Sequence, residues 1–371
     1  MIFSASSIDL QRVLGNIGGV IPARTTLPIL ENFLFEVSDN HLNITATDLD
    51  TSMSVSLPVK NGENGTMAVP AKRLMETVRA LPNTEIKFTA QKDTNKIVMK
   101  TNNGEYKLTG ESSENYPAVP KFKPDTELKI GGDILNRLIT KTSFAVSTDE
   151  LRPAMMGVLF QIKKNEIRAI ATDGHRLVRL VNSSFSSPVG EREIIVPAKA
   201  LNLVIKSSDD SESSVSFSEN HAMFSMGNTR LISRMIEEKF PNYESVIPLE
   251  NDKEMLVDRN QLLSSVRRTA LYASSTTHQV RFSLRKGSLA VSAQDIDFGS
   301  EARETLPCDY SAEPMEIGFN STYMIDMLSH MDGDQVQLMF SSPTRASILR
   351  PVSQREGENL LMLVMPVRLS D

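Results

Sequence analysis

Three aspartates recur at nearly equal steps along the chain, and a histidine follows one of them. Asp48, Asp173 and Asp295 are 125 and 122 residues apart, and His175 lies two residues after Asp173. An aspartate and a histidine on one strand face are groups that general acid–base chemistry uses. A hydrolase would also need a nucleophile at a recognisable turn, and the sequence offers none. Asp48 and Asp295 hold the equivalent place without a histidine, which favours structural turn aspartates over a catalytic pair.

The other reactive side chains suggest no second site. The remaining histidines are scattered without the spacing of metal ligands, and no glycine-rich loop suited to a phosphate is present. Cys308 is the single cysteine, so it excludes internal disulfides and is typical of a reducing compartment. We therefore expect a structural role for Cys308, and we expect no cofactor, no metal and no catalysis.

Positive charge is concentrated in six windows with helical periodicity, residues 7–17, 70–81, 132–142, 198–207, 259–270 and 320–331. They hold eleven basic and four acidic side chains, a net +7 in a chain of net −6, so the rest carries −13. The basic residues are Arg12, Lys72, Arg73, Arg79, Arg137, Lys141, Lys199, Lys206, Arg259, Arg267 and Arg268. Lysine and arginine on solvated helix faces are the ordinary alternative, but glutamate, an equally good helix former, is nearly absent. The pattern favours a polyanion bound through its phosphates, with strong salt dependence and no base recognition.

The elements that carry these residues belong to a threefold internal repeat. Residues 34–48, 159–173 and 281–295 align without a gap, and three further landmarks keep the same step. A period of about 125 residues is that of a whole domain rather than of a solenoid unit. The sequence therefore predicts three tandem domains, residues 1–125, 126–252 and 253–371.

Each repeat has the same order of predicted elements. A short strand leads into an amphipathic helix, as in the first repeat with Leu10, Val13 and Ile17 at helical spacing. Strands with alternating apolar residues follow, separated by turn signals such as residues 39–40 and 286–287. A second helix and more strands close the repeat. The fold class is thus α+β, with two helices over antiparallel sheet in each of three copies.

Two features of the chain bear on its compartment. The first residues lack the charged-then-apolar pattern of a signal peptide, and no run approaches 18 apolar residues. With a single cysteine, these features predict a cytoplasmic protein with no membrane partner.

Five motifs, in this order on a triplicated chain, resemble the family of bacterial DNA polymerase III beta subunits, the sliding clamps. They are residues 26–30 (TLPIL), 171–177 (ATDGHRL), 240–243 (FPNY), 316–320 (EIGFN) and 364–369 (VMPVRL). The resemblance covers the whole chain. It implies a head-to-tail homodimeric ring with twelve helices lining a hole and sheets outside. Such a ring encircles duplex DNA and confers processivity on the replicative polymerase. It also implies a separate clamp-loader ATPase and other replication and repair partners that dock short peptides.

The resemblance also assigns site residues, in three groups. The partner-peptide pocket would comprise Met155, Thr172, Gly174, His175, Arg176, Leu177, Pro241, Val246, Asn320, Tyr323, Leu363, Val364, Met365, Pro366, Val367 and Arg368. DNA would contact Arg24, Arg73, Arg152 and Lys199, to which the charge distribution adds Arg137 and Lys141. The dimer interface would include Tyr106, Leu271, Tyr272, Glu301 and Glu304, with the two glutamates facing Lys96 and Lys100.

One departure and several alternatives accompany these assignments. Pro153 and Ala154 stand where some members of the family place two tyrosines against DNA, so this chain cannot stack rings there. Leu363 and Met365 could be core residues of a last strand, any single basic residue could be a solvated surface charge, and the interface could be an ordinary exposed strand edge. As whole-protein alternatives, the repeat could form a monomeric DNA- or peptide-binding adaptor, or a hydrolase that uses His175.

Overall fold

A computed structural model describes residues 1–120, 122–123, 126–187, 190–208 and 212–369. The predicted boundary near Pro124–Asp125 lies outside these residues. Six α-helices are present in the described part and match the six predicted windows to within a residue. They are α1 (Ser7–Ile17), α2 (Ala71–Ala80), α3 (Gly132–Thr142), α4 (Ala198–Ser207), α5 (Arg259–Ala270) and α6 (Ser321–His330).

The strands follow the predicted repeat. In the first repeat they are β1 (Ile2–Ser6), β2 (Asn32–Ser38), β3 (His41–Thr47), β4 (Thr51–Pro58), β5 (Lys60–Glu63), β6 (Gly65–Pro70), β7 (Glu85–Gln91), β8 (Lys96–Lys100) and β9 (Glu105–Thr109). In the second they are β10 (Thr126–Gly131), β11 (Gly157–Lys163), β12 (Glu166–Thr172), β13 (Arg176–Asn182), β14 (Arg192–Pro197), β15 (Glu212–Phe217), β16 (His221–Met226) and β17 (Thr229–Arg234). In the third they are β18 (Lys253–Asp258), β19 (Gln279–Arg285), β20 (Ser288–Asp295), β21 (Ser300–Pro307), β22 (Asp309–Tyr310), β23 (Met315–Asn320), β24 (Gln335–Phe340), β25 (Ser347–Pro351) and β26 (Glu358–Val364).

Local sequence explains most of these elements. In α1 the residues at helical spacing, Leu10, Val13 and Ile17, are buried as predicted. Side chains cap α5 and α6, because Asp258 accepts from the Gln261 amide and Asn320 accepts from the Thr322 amide. In the predicted turns, Asp39, Asn40 and Gly287 have left-handed backbone, which asparagine and glycine tolerate best.

The chain divides into two compact units, each with two sheets. One comprises Met1–Asn136 and Lys199–Met235 and contains the sheets β5-β1-β7-β8-β9 and β10-β15-β16-β17-β4-β3-β2-β6. The other comprises Arg137–Ala198 and Ile236–Asp371 and contains β14-β11-β12-β13-β26-β25-β24-β18-β22 and β21-β20-β19-β23. The middle repeat contributes strands to both units.

Consecutive repeats are joined by continuous β-sheet. In the first unit β4 pairs with β17, so the sheet of the first repeat runs into that of the second. In the second unit β13 pairs with β26, which joins the second repeat to the third in the same way. β21 in the third repeat corresponds to β4 and β13, and β9 in the first repeat corresponds to β17 and β26. Each of those two strands lies at the end of its sheet.

A partly buried ion cluster fastens α3 to the third repeat. The Arg137 guanidinium donates to the Glu358 carboxylate at 2.7 Å and to the Asp332 carboxylate at 2.7 Å. The Lys141 ammonium donates to Asp332 at 2.6 Å and to the His330 carbonyl at 2.6 Å. Burial alone would raise the pKa of Asp332, but hydrogen bonds from Arg137 and Lys141 outweigh it and lower that pKa.

We expect Arg137→Ala to lower the unfolding free energy by about 3–5 kcal/mol, because it leaves Glu358 buried without a partner. For a chain of 371 residues this corresponds to a fall of about 5 °C in Tm, measured by thermal unfolding. The matched control is Arg12→Ala, at the equivalent position of α1. Arg12 is exposed and pairs only with Asp9 at 3.7 Å, so its loss should cost under about 0.5 kcal/mol. Equal melting of the two variants would contradict a structural role for the cluster.

Candidate peptide-binding and nucleic-acid interfaces

The three repeated aspartates cap turns, as the sequence predicts. The Asp173 carboxylate accepts from the His175 and Arg176 amides, both at 2.9 Å. Asp48 accepts in the same way from the amides of residues 50 and 51, and Asp295 from those of residues 297 and 298. The His175 ring faces Tyr323, with ring centroids 6.1 Å apart. The Asp173–His175 pair therefore has the geometry of a turn rather than of a catalytic site.

Arg176 is buried and fully engaged. Its guanidinium donates to Asp326 at 2.6 Å, to Asp173 at 3.1 Å and to the Phe144 carbonyl at 2.8 Å. It also stacks over the Tyr323 ring, 4.7 Å from the centroid. Among the predicted pocket residues, Arg176 is therefore a buried residue held by its own contacts rather than an exposed one.

An apolar cluster in the second unit contains two of the predicted pocket residues, Leu177 and Leu363. Its buried members are Leu159, Ile170, Leu177, Ile195, Phe240, Tyr243 and Leu363. At its rim Pro241, Val246 and Met365 are exposed, Val246 by 53% and Met365 by 41%. Exposed apolar side chains beside a buried apolar floor are typical of a site that receives apolar anchors.

The equivalent positions of the other two repeats are polar, with the exception of Leu34. Leu159, Ile170 and Leu177 correspond to Leu34, Thr45 and Ser52 in the first repeat and to Arg281, Ser292 and Glu301 in the third. A strand buried on both faces, such as β11, needs apolar residues at successive positions, and in the middle repeat the neighbouring strands β12 and β13 continue the apolar face with Ile170 and Leu177. The apolar site is therefore a property of one repeat rather than of the scaffold.

The C-terminal segment lies along this site. The Met365 amide donates to the His175 carbonyl at 2.8 Å, and the Val367 amide donates to the Gly318 carbonyl at 2.9 Å. A Cβ at Gly318 would lie 2.8 Å from the Val367 carbonyl oxygen, so only glycine permits this close approach. Leu363 and Val364 are buried strand residues, whereas Met365 and Arg368 are exposed. The burial of Leu363 therefore fits the core alternative, whereas the exposure of Met365 does not.

The other predicted pocket residues fall into two groups. Thr172 is buried and donates to the Arg176 carbonyl at 2.7 Å, and Asn320 uses its amide oxygen to cap α6. Met155, Tyr323 and Pro366 are half-buried, and Gly174 is exposed in the β12–β13 turn with a φ of +89°. A side chain at residue 174 would be strained there and would approach Arg152.

The predicted DNA-contact residues differ in how their charge is compensated. Arg24 and Arg73 are exposed, and no described carboxylate pairs with either. Arg152 pairs with Asp149 at 2.8 Å and donates to the Asp173 carbonyl at 3.1 Å. Lys199 pairs with Asp48. Arg137 and Lys141 belong to the ion cluster described above, so their environment does not support the prediction that they contact DNA.

Besides Arg259, which donates to the Gly333 and Leu328 carbonyls, four more basic side chains on the helices lack a carboxylate partner among the described residues. They are Lys72, Arg79, Lys206 and Arg267, and all four are exposed. The sequence places them among the basic helix residues, but only the structure separates them from the paired ones. The 147–156 loop carries Pro153 and Ala154 in a 3₁₀ turn, with Leu151 exposed beside Arg152.

Of the predicted interface residues, Tyr106, Glu301 and Glu304 lie in the two edge strands β9 and β21, and Leu271 and Tyr272 follow α5. Tyr106 in β9 is 36% exposed, whereas its counterparts at the internal junctions, Leu231 and Met362, are fully buried. Leu271, just after α5, is 82% exposed. Its counterparts in the first two repeats, Gly19 and Phe144, each lie next to a helix of the following repeat. A Cβ at Gly19 would lie 2.8 Å from Leu203 in α4, and the Phe144 ring stacks on the His330 ring in α6. Tyr272 is likewise exposed.

The charged residues at these edges differ from the prediction. Glu304 is already paired with Arg268 in its own repeat, with both carboxylate oxygens accepting at 2.7 Å. Lys100 is paired with Glu105 at 2.9 Å and Lys96 lies on the neighbouring strand β8. The sequence reading missed Glu105, Lys107 and Arg303, which alternate with Tyr106 and Ala302 along the two edges. Their alternating charges were visible, but their significance depends on which strands are edges.

Comparison with known proteins covers the whole chain. Family descriptions of the DNA polymerase III beta subunit match as its N-terminal domain (residues 1–120), central domain (129–242) and C-terminal domain (244–368). The beta sliding clamp of Pseudomonas putida is 30% identical over 375 residues, with 100% of both chains covered. Within the described residues, no helix has the length and apolar character needed to cross a membrane.

Solved structures agree with this relationship. The sliding clamp of Bartonella birtlesii bound to griselimycin has a TM-score of 0.93 at 28% identity, and that of Pseudomonas aeruginosa 0.90 at 28%, each with full coverage of both chains. The three-domain fold, the sequence motifs and the full-length similarity agree. The chain therefore belongs to the family of DNA polymerase III beta subunits, the beta sliding clamps.

Proposed function

We propose that this protein is a DNA sliding clamp, a non-catalytic processivity subunit that works as a ring of two copies around duplex DNA. The observation that carries the proposal is the repeated strand junction. Two junctions, β4–β17 and β13–β26, join the three repeats, and the same two strand positions remain as β21 and β9, each at the end of its sheet. A heterologous contact of this kind generates a ring when the rotation closes.

The internal junctions also give the register of the closing junction. Met53 lies opposite Leu231, and Val178 lies opposite Met362. The corresponding positions in the free edges are Ala302 and Tyr106, as the pairing of each strand with its inner neighbours establishes. With Tyr106 opposite Ala302 of the second copy, Lys107 faces Glu301 and Glu105 faces Arg303. Opposite charges across a strand pair stabilise it, and the pairing covers two edges that would otherwise be exposed.

DNA is held in this proposal by topology and by weak phosphate contacts. The helices carry the positive charge, and the proposed contacts are Arg24, Arg73, Arg152 and Lys199 with the unpaired Arg79, Lys206 and Arg267 added. Contacts of this kind are sequence-independent and salt-sensitive, so the ring can slide. The rest of the chain is net negative and repels DNA elsewhere.

We expect Arg24→Ala combined with Lys206→Ala to weaken DNA association equally on all sequences. Each lost phosphate contact should reduce the slope of log K against log salt concentration by about 1. The measurement is DNA binding over a salt series by fluorescence anisotropy. Lys92→Ala, an exposed lysine in the β7–β8 turn paired with Glu114, is the control. Identical slopes for all three proteins would remove these two residues from the DNA-contact set.

Partners dock at the apolar site of the second repeat in this proposal. Short peptides would place apolar anchors over Leu177 and Leu363, between the rim residues Val246 and Met365. Exposed polar groups at His175 and Arg368 would orient them. The replicative polymerase, other replication and repair proteins and a clamp-loader ATPase are the proposed partners. The clamp-loader ATPase is proposed on the family resemblance alone. The proposed compartment is the cytoplasm.

Primer extension tests the function. On a long primed circle at a salt concentration where the polymerase alone dissociates, the protein with its loader should lengthen the products many-fold. Unchanged product length would contradict the proposal. The alternative of a monomeric adaptor on the same scaffold predicts a sedimenting species of 41.1 kDa, whereas the ring predicts twice that mass.

A further inference from the structure

Arg179 in β13 lies beside the apolar cluster of the second unit. Its cross-strand neighbours are Ile170 in β12, a member of the cluster, and Leu361 in β26, which packs against it. Leu177, another member, precedes Arg179 by two residues on the same face of β13, about 7 Å away. Arg179 is therefore a half-buried cation with apolar neighbours on three sides.

The guanidinium of Arg179 is poorly compensated. Within the described chain its one hydrogen bond runs from Nη2 to the Asn359 side-chain oxygen at 3.3 Å. Its Nε is closed off from solvent and has no hydrogen-bond partner. No carboxylate of the described residues pairs with it. An arginine has five N–H donors, and a partly buried cation without an anion is costly.

The other two arginines of β12 and β13 are each held by two carboxylates. Arg168 pairs with Glu166 at 2.7 Å and with Glu244 at 3.0 Å. Arg176 donates to two aspartates, as described above. The chain thus supplies anions to the arginines that it engages internally, and it leaves Arg179 without one at the border of the apolar site.

The surroundings of Arg179 determine which anion fits. A guanidinium among apolar side chains attracts an anion more strongly than one in water, and its planar fork matches a carboxylate. The two Nη groups are left for such a partner, because Nε is closed off. A nucleic-acid strand would need a row of cations rather than apolar neighbours such as Ile170 and Leu361. A carboxylate close to an apolar anchor is the matching group.

We propose that Arg179 binds the carboxylate of an aspartate or glutamate in a docked partner peptide, so that the site selects peptides of this kind. The inference rests on the proposed docking of peptides at the apolar site and names a feature that they share. An extended peptide presents alternate side chains at the same step as β13, so the acidic residue should lie within about two residues of the anchor over Leu177. A glutamine in its place would leave the guanidinium without an anion.

Peptide selection tests the preference. A random heptapeptide library displayed on phage is selected on the full-length protein and, in parallel, on its Arg179→Met variant. Peptides selected on the wild type should carry aspartate or glutamate within about two residues of an apolar anchor. Those selected on Arg179→Met should show no such enrichment. Equal enrichment on both proteins, or none on the wild type, would overturn the assignment.

A double-mutant cycle with the best selected peptide measures the pairing. Replacing its acidic residue by the corresponding amide should weaken binding to the wild type about tenfold in calorimetry and leave binding to Arg179→Met unchanged. Arg179→Lys keeps the charge without the fork and should retain part of the preference. The matched control is Arg350→Met, an exposed arginine of β25 in the same sheet that donates to Gln337. Loss of the preference in this control as well would indicate general positive charge rather than Arg179.

Two further results separate the possible failures. Arg179→Met should not lower Tm, because it removes a buried donor that has no partner. A marked fall in Tm would show that the fold itself requires Arg179 and would contradict a role in recognition. Selected peptides that bind without any preference for an acidic residue would refute this inference and leave the docking site standing. If no library peptide bound the wild type, the proposed docking site would fail as well.

Discussion

Lys107→Glu should dissociate the two-copy protein into single chains. In the proposed register Lys107 faces Glu301 of the second copy, so the substitution replaces an attractive pair by two glutamates beside each other. Like charges juxtaposed in an interface cost several kcal/mol, so we expect the dimer dissociation constant to rise at least about 100-fold. Glu105 shares this edge. Hydrogen bonds from Lys107 and Lys100 lower the pKa of Glu105 to about 2, so it is ionised at neutral pH.

The charge swap makes this prediction specific. Adding Glu301→Lys to Lys107→Glu restores one opposite pair at each joint and should bring the dissociation constant back to within about tenfold of the wild type. Lys96→Glu is the matched control, because Lys96 lies on β8, one strand inside the edge, and faces Thr109 in its own repeat. If Lys96→Glu dissociated the dimer as strongly as Lys107→Glu, or if the swap failed to restore it, the register would be wrong.

Val246→Glu combined with Met365→Glu should abolish processive synthesis while leaving the dimer intact. Both side chains are exposed at the rim of the apolar site, so charges there should not unfold the protein. A partner's apolar anchor would have to bury an uncompensated carboxylate, and we expect its peptide to bind at least about 100-fold more weakly. Peptide binding is measured by calorimetry and processivity by primer extension. Val352→Glu, an exposed valine after β25 in the third repeat, is the control.

Deletion of Met365–Asp371 tests the same site by a second route. The segment contributes the Met365 and Val367 amides that bond to His175 and Gly318, and none of its described residues lies in β9 or β21. Polymerase tethering should therefore be lost and the dimer retained. A deletion variant that falls apart into single chains would show that the segment belongs to the core rather than to the docking site.

Much of the fold could be predicted because it is encoded locally and three times. The apolar spacing of the helices and the turn residues 39–40 and 286–287 are short-range signals, and the repeat confirms each of them independently. The turn aspartates could likewise be separated from a catalytic pair, because Asp48 and Asp295 occupy the same position without a histidine. Patterns whose residues lie close together in the chain can therefore be recognised from the sequence alone.

The features that could not be predicted depend on contacts between residues that are far apart in the sequence. Arg137 was assigned to DNA because it lies on a basic helix, but its partners Asp332 and Glu358 are 195 and 221 residues away and no local pattern indicates them. The register that places Lys107 opposite Glu301 requires knowing that β9 and β21 are edges. Comparison of the repeats shows that Leu159, Ile170 and Leu177 have mostly polar counterparts. That these three residues form one apolar cluster is known only when the structure shows that their strands share a face.

Retention on DNA of different topology tests the central claim most directly. The protein is loaded by its loader onto a nicked circle, moved to a salt concentration that screens phosphate contacts, and followed by gel filtration before and after the circle is cut once. A closed ring should remain on the intact circle, because only topology holds it, and should run off within minutes of linearisation. Equal retention on both forms, or loss from both, would contradict an encircling clamp.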